Sequence, residues 1–332
     1  MRLIHAWLPA VMLSPRAPPP VLRQDHREDG GLHRLLLQRA VQTCCYTARQ
    51  TRDPPTAQWL AEYANIPETY HGLDGFNSSV AWDRWLLDLY GVPPMEIEVQ
   101  SILKQHRGVS ANNPYVQPKR MAYTYELRPS DMAERLCRTV DSIAREWRED
   151  LALIADAEVE SVWRSRRAVT LESDEEVRTT LPAFSHDPVN NPNTPYRGGS
   201  YQLLVALATR RAAQSALAAM AAQPTSWAAR EMLATHCEER GLFEGDDLEP
   251  HVADAWIASL LDLPISLRMG GGTSGEPALV DPRGVVEQLL EWRTAVAEDW
   301  IRRLRRVPDA LLQIKRRHME SRMGTSTGSP KA

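Results

Sequence analysis

The chain of 332 residues holds three phenylalanines against ten tryptophans, and only four cysteines. Cys44, Cys45, Cys137 and Cys237 form no CxxC pair, which excludes a zinc knuckle or a dithiol redox motif. Cys44 and Cys45 are adjacent within a helical pattern, and all four read as buried thiols of a reducing compartment. No run of 18 apolar residues occurs, so no transmembrane helix is expected. The best stretch, Tyr201–Ala222, is interrupted by Arg210 and Arg211.

Catalytic and metal signatures are also missing. GGGTSG (Gly270–Gly275) lacks the Lys-Ser/Thr of a phosphate-binding loop and reads as a hairpin turn. His236 with Glu238, and His251 with Asp254, do not match the spacing of a metal site, and both read as surface-helix residues. His186-Asp187 falls in a loop. RGGS (Arg197–Ser200) precedes a helix, where free amides could hold a phosphate; a capped loop, with Ser200 as the N-cap, is the plainer reading. No metal and no cofactor is expected.

Charge is nearly balanced overall, at −4, which argues against a generic polyanion binder. Its distribution is uneven: residues 301–332 carry +7 and the remainder −11. At the other end, MRLIHAWLPAVMLSPRAPPP has no acid before Asp25 and is rich in proline. Residues 1–31 read as a disordered leader or targeting segment. The expected location is intracellular and cytoplasmic, with organelle import left open by that N-terminus.

What the chain does contain is an internal echo. AREWREDLALI (Ala144–Ile154) returns as AEDWIRRLRRV (Ala297–Val307), and at an offset of 153 the match runs from Pro129/Pro282 to Ile154/Val307 with six identities in 26 positions. WLLDLYGVP (Trp85–Pro93) resembles WIASLLDLP (Trp256–Pro264), and LLLQRA (Leu35–Ala40) parallels LLVALA (Leu203–Ala208). Three blocks in the same order, at offsets of 168, 171 and 153, predict a tandem duplication.

In the first copy Met132, Leu136, Val140, Ile143, Trp147, Leu151 and Ile154 keep one stripe at helical spacing. Ser130 or Asp131 is placed to cap that helix, and Trp147 and Trp300 are expected in the core. Pro54 and Pro224 break the first block into two helices. The period then falls to two: Met95, Ile97 and Val99 share a face, as do Met121, Tyr123, Tyr125 and Leu127, and as do Ile265, Leu267 and Met269. Two isolated hairpins are marginal, so they are expected to join in one sheet.

The resulting expectation is a mainly α (α+β) fold of two diverged tandem helical repeats. Each has three helices, a short β-hairpin and a long C-terminal helix. The repeats span 32–155 and 200–308, with a linker at 156–199 and a basic C-terminal tail at 309–332. At LLLQRAVQTCCYTARQTRDPPTAQWL, NNPY and YELRPSDMAERLCRTVDSIAREWREDL the first copy resembles a family of uncharacterised helical proteins of unicellular algae. The resemblance implies no activity.

Function is sought where the copies differ. Six residues join the second pair of strands, whereas the first pair is joined by SILKQHRGVSANNPYVQPKR. Lys104, His106, Arg107, Lys119 and Arg120 make that loop basic, and Asn112, Asn113 and Tyr115 add hydrogen-bonding groups; long loops of this kind are usually functional. With Arg197 they form one candidate site for an anion. The tail is the second candidate, through Arg302, Arg303, Arg305, Arg306, Lys315, Arg316 and Arg317, interleaved with Val307, Leu311 and Ile314 and broken at Pro308.

The first reading is a non-catalytic binding or assembly protein that contacts an acidic protein partner or an anionic surface, with a homo-oligomer possible. Nucleic acid is disfavoured because the chain is acidic and carries no such motif. The alternative is an enzyme of unrecognised family with an anionic substrate near the first-copy loop.

Overall fold

The computed structural model describes residues 29–65, 81–103, 119–156, 194–240, 252–269 and 277–326. Helix α1 (Asp29–Gln50) is buried along most of its length, from Leu35 through Cys45. Its chain turns at Arg52, which has a φ of 61°. Asp53 then accepts from the Thr56 amide and Pro54 occupies the first turn, starting α2 (Pro54–Ala64). Next come α3 (Trp82–Gly91), the antiparallel strands β1 (Met95–Leu103) and β2 (Lys119–Leu127), and α4 (Pro129–Ala155).

The same order follows again. Helix α5 (Arg197–Ala221) is followed by a 3-10 turn at Pro224–Ser226 and by α6 (Trp227–Glu239). Then come α7 (Val252–Leu261), β3 (Ser266–Met269), β4 (Pro277–Val280) and α8 (Pro282–Leu304). A last helix, α9 (Val307–Ser326), ends the described chain. The fold is therefore mainly α with two small antiparallel strand pairs.

Packing follows the order of elements. In the first half α1 lies against α2, α3 and α4; in the second, α5 lies against α6, α7 and α8. The long helices α4 and α8 pack against each other and join the halves. Thr294 Oγ1 donates to the Ala155 carbonyl at 3.0 Å across this junction. The α4 stripe is buried as its spacing predicts, with Trp147 among the largest fully enclosed side chains, and Trp300 packs half-buried at the edge of the same core. That core takes residues from both halves, while a second cluster lies within α5–α8. All four cysteines are buried and none forms a disulfide.

Four expectations need correction. The hairpins do not join: β1 pairs with β2 and β3 with β4, in two separate two-stranded sheets. The first is tied instead to the start of α2, where Tyr125 meets Asp53 and Thr56, and the second packs against α6. Helix α4 starts at Pro129 behind Arg128, so neither Ser130 nor Asp131 caps it. Likewise α5 starts at Arg197, and Ser200 is buried inside its first turn. Pro308 does not kink a tail; it lies in the first turn of α9, where its missing N–H costs nothing.

The two hairpins differ in which face is the inner one. Leu267 and Met269 alternate as a strand should, but their face is turned to solvent, and Val280 and Ala278 face the protein. In the first hairpin the apolar face, with Met95, Ile97, Tyr125 and Leu127, is the inner one.

Candidate functional site

Helix α9 explains how the basic tail is held. Val307, Leu311 and Ile314 recur at spacings of 4 and 3, share one face, and are all buried against α3 and α4. Each such side chain contributes roughly 1.5–3 kcal/mol as an upper estimate, whereas a part-exposed ion pair contributes about 0–1 kcal/mol. The apolar stripe therefore holds the helix, and the charges orient it. The boundary expected at residue 309 falls inside this docked helix.

One carboxylate clasps the joint. Tyr90 Oη donates to Glu134 Oε1 at 2.8 Å, and Lys315 Nζ donates to Oε2 at 2.6 Å. The His318 ring stacks on Tyr90 with centroids 4.7 Å apart. Burial alone would raise the pKa of Glu134, but the bonds from Lys315 and Tyr90 and the Lys315 charge bring it below its ordinary value. Burial, helped by the Arg322 charge, pushes His318 down. Burial and the bonds to Cys137 and Glu134 push the Tyr90 phenol well up.

The outer face of α9 is different. Leu312, Met319 and Met323 are 54–66% exposed. At 100° per residue they fall within about 40° of one another, with Arg316 beside them. Arg305 and Arg306 stand exposed just ahead of the helix. The side chains of Arg305, Arg306 and Arg316 make no hydrogen bond or ion pair with any described residue. The other arginines of the tail are engaged: Arg302 and Arg303 reach Asp299 at 3.2 and 2.7 Å, and Arg317 lies 3.7 Å from Asp83. Two acids, Asp309 and Glu320, are also exposed here. The Leu312–Met323 stripe escaped sequence reasoning, although its spacing of 7 and 4 was there to be found beside the inner stripe.

The candidate residues between β1 and β2 fare differently. Lys104, His106, Arg107, Asn112, Asn113 and Tyr115 lie outside the described residues. Lys119 and Arg120 are not loop residues: they open β2, paired in register with Leu103 and Ile102. At the base of this hairpin is a cleft of about 280 Å³ lined by Thr56, Tyr125, Glu126, Arg128, Asp131 and Arg135. Tyr125 Oη donates to Asp53 Oδ2 at 3.2 Å and lies 3.0 Å from Thr56 Oγ1. Arg128 holds Glu126 through two bonds, at 3.1 and 2.9 Å, and the hydrogen bond from Arg128 lowers the Glu126 pKa.

Arg197 is occupied. Its guanidinium lies 2.9 Å from Asp150 Oδ1 and 3.0 Å from Glu149 Oε2. Thr194, just before α5, bonds Glu146 through its amide at 3.1 Å and its hydroxyl at 2.6 Å. Three carboxylates thus surround this helix start, an arrangement that repels an anion. Desolvation raises the pKa of Asp150 despite the arginine; burial tends to lower that of Arg197, but Asp150 and Glu149 raise it.

His236 is not a surface residue either. It is buried, with Nε2 3.1 Å from Ser259 Oγ and 3.3 Å from the Trp256 carbonyl, and it ties α6 to α7. Burial depresses its pKa. His186 and His251 lie outside the described residues. Among the described residues no group of three or more His, Cys, Asp or Glu is placed to hold a metal, and no helix is long and apolar enough to cross a membrane. No family model, curated protein or solved structure matches the chain.

Proposed function

We propose that this is a binding protein whose C-terminal helix offers its outer face to an acidic amphipathic helix of a partner protein. The observation that carries this reading is the exposed Leu312–Met319–Met323 stripe beside three arginines whose side chains have no partner among the described residues. Leucine and methionine side chains provide an adaptable apolar seat. Unpaired arginines add selectivity for carboxylates and speed the encounter. The inner stripe already anchors α9, so the outer one is free to act without undocking the helix. The alternative, an enzyme acting on an anion near the first-copy loop, meets the carboxylates of Asp131 and Glu126 in the described part of that region.

Charge reversal tests the proposal better than truncation, because cutting after Val307 would strip Leu311 and Ile314 from the core. The probe is a fluorescein-labelled synthetic helix with leucines on one face and glutamates on the other, followed by anisotropy. The full-length chain should bind it in a salt-dependent manner. R305E/R306E/R316E should weaken binding by at least about tenfold, or 1.4 kcal/mol. Equal binding by this variant, or tighter binding of the chain to phosphatidylserine vesicles than to the peptide, would refute the reading.

A further inference from the structure

The two hairpins provide an internal comparison. Each ends on a buried residue two positions before a helix-starting proline: Leu127 before Pro129, and Val280 before Pro282. This geometric correspondence aligns the cross-strand pairs. Glu96 opposite Glu126 corresponds to Leu267 opposite Leu279, and Glu98 opposite Thr124 corresponds to Met269 opposite Pro277. All eight positions face solvent. In the first hairpin this outer surface is acidic and polar, as a solvated face should be. In the second it is apolar, and Ile265 extends it.

The exposure is not incidental. Ile265, Leu267, Met269 and Leu279 are 62–71% exposed and lie on one surface. The opposite surface is the one that packs inward: Val280 is buried, and Arg268 crosses to Glu231 on α6 at 3.1 Å. The four side chains leave roughly 500 Å² of apolar surface in contact with water, near the upper end of what a monomer carries as its largest patch.

We propose that the chain forms a twofold dimer through this face, with Leu267 and Leu279 of one copy packed on the same residues of a second. Two features select a second copy over another occupant. Among the described residues the patch carries no charged side chain, so none of them selects a charged partner, and an apolar face is complementary to itself across a twofold axis. The area also suffices: two such patches bury about 1,000 Å² together, the threshold for a specific interface. The dimer face is distinct from the outer face of α9, so the R305E/R306E/R316E variant should dimerise like the unmodified chain. Failure of one proposal therefore leaves the other standing.

The test is sedimentation equilibrium of the full-length chain across a concentration series. The mass should rise from 37.4 kDa toward twice that value. L267E/L279E transfers the glutamate pair of the first hairpin, which the fold already accommodates, and should weaken dimerisation by at least about tenfold with an unchanged far-UV spectrum. Should that variant fold poorly, L279C reads the same contact, because a twofold dimer should yield an intermolecular disulfide under mild oxidation while the four native thiols stay buried. A single-chain mass up to about 100 µM, where a micromolar dimer would have formed, overturns the proposal. So does a dimer that L267E/L279E leaves equally tight, or one that L279C does not cross-link.

Discussion

Removing Arg197 should be among the most damaging single changes outside the apolar core. Asp150 is fully enclosed, the Arg197 side chain is 14% exposed, and Asp150 Oδ2 has no hydrogen-bond partner among the described residues. In R197M the Asp150 carboxylate would lose both bonds at Oδ1, at 2.9 and 3.3 Å, and would be left buried beside Glu146 and Glu149. Breaking a buried pair by deleting one partner costs about 3–5 kcal/mol. The pH dependence follows from the sign of the shift. Asp150 already titrates above its ordinary value because burial penalises its charge, and losing the arginine moves it further up. An acid raised in the folded state weakens the fold when ionised, so the penalty is present at pH 7 and shrinks as pH falls toward the unfolded value near 4. Urea denaturation followed by far-UV circular dichroism should show R197M losing about 3–5 kcal/mol at pH 7 and visibly less at pH 5. D150N/R197M, which removes the buried charge at this junction, should recover most of the loss and flatten the pH dependence. A loss below about 1 kcal/mol at pH 7, or one that grows as pH falls, would refute the reasoning.

Two further predictions concern the clasp on α9 and the buried histidine. The pKa of Glu134 is lowered by its partners, so its contribution is present above the unfolded value near 4.3 and lost as pH falls through the lower folded value; His318, depressed by burial, weakens the same joint below about 6.5. E134Q should therefore speed amide hydrogen exchange across residues 307–323 at pH 7, and unchanged protection would rule out the clasp. His236 is depressed by burial, so the stability it contributes is complete above about 6.5 and declines as pH drops below that. H236F, with Ser259 still bonded to the Trp256 carbonyl at 2.8 Å, should lose less stability between pH 7 and pH 5 than the unmodified chain, and an equal loss would show that His236 does not titrate there.

The α4 stripe could be read from sequence because its spacing alone puts seven apolar side chains on one side of a helix, and a helix so striped must bury that side. The break at Asp53-Pro54 was equally legible, since proline and an aspartate cap act within a few residues. The candidate site was legible in part. The tail's charge was plain in the sequence, but which arginines stay unpaired depends on Asp299 and Asp83, and Asp83 is brought close only by folding. Arg197 looked like an anion ligand until folding set it against Asp150, 47 positions earlier in the chain. Lys315 meets Glu134 across 181 positions, beyond any local pattern.

The sequence by itself determined the order of elements, the breaks between them and the stripe each long helix would bury, because propensity, capping and periodicity are local. Tertiary structure alone decided which face of each hairpin meets water. Alternation marks two faces without saying which is inner, and Leu267 and Leu279 point outward because Val280 and Ala278 are the residues that face α6 and the second cluster. It likewise decided that the basic tail is a docked helix with one face spent and one left over, since burial depends on what stands opposite and not on the residue itself.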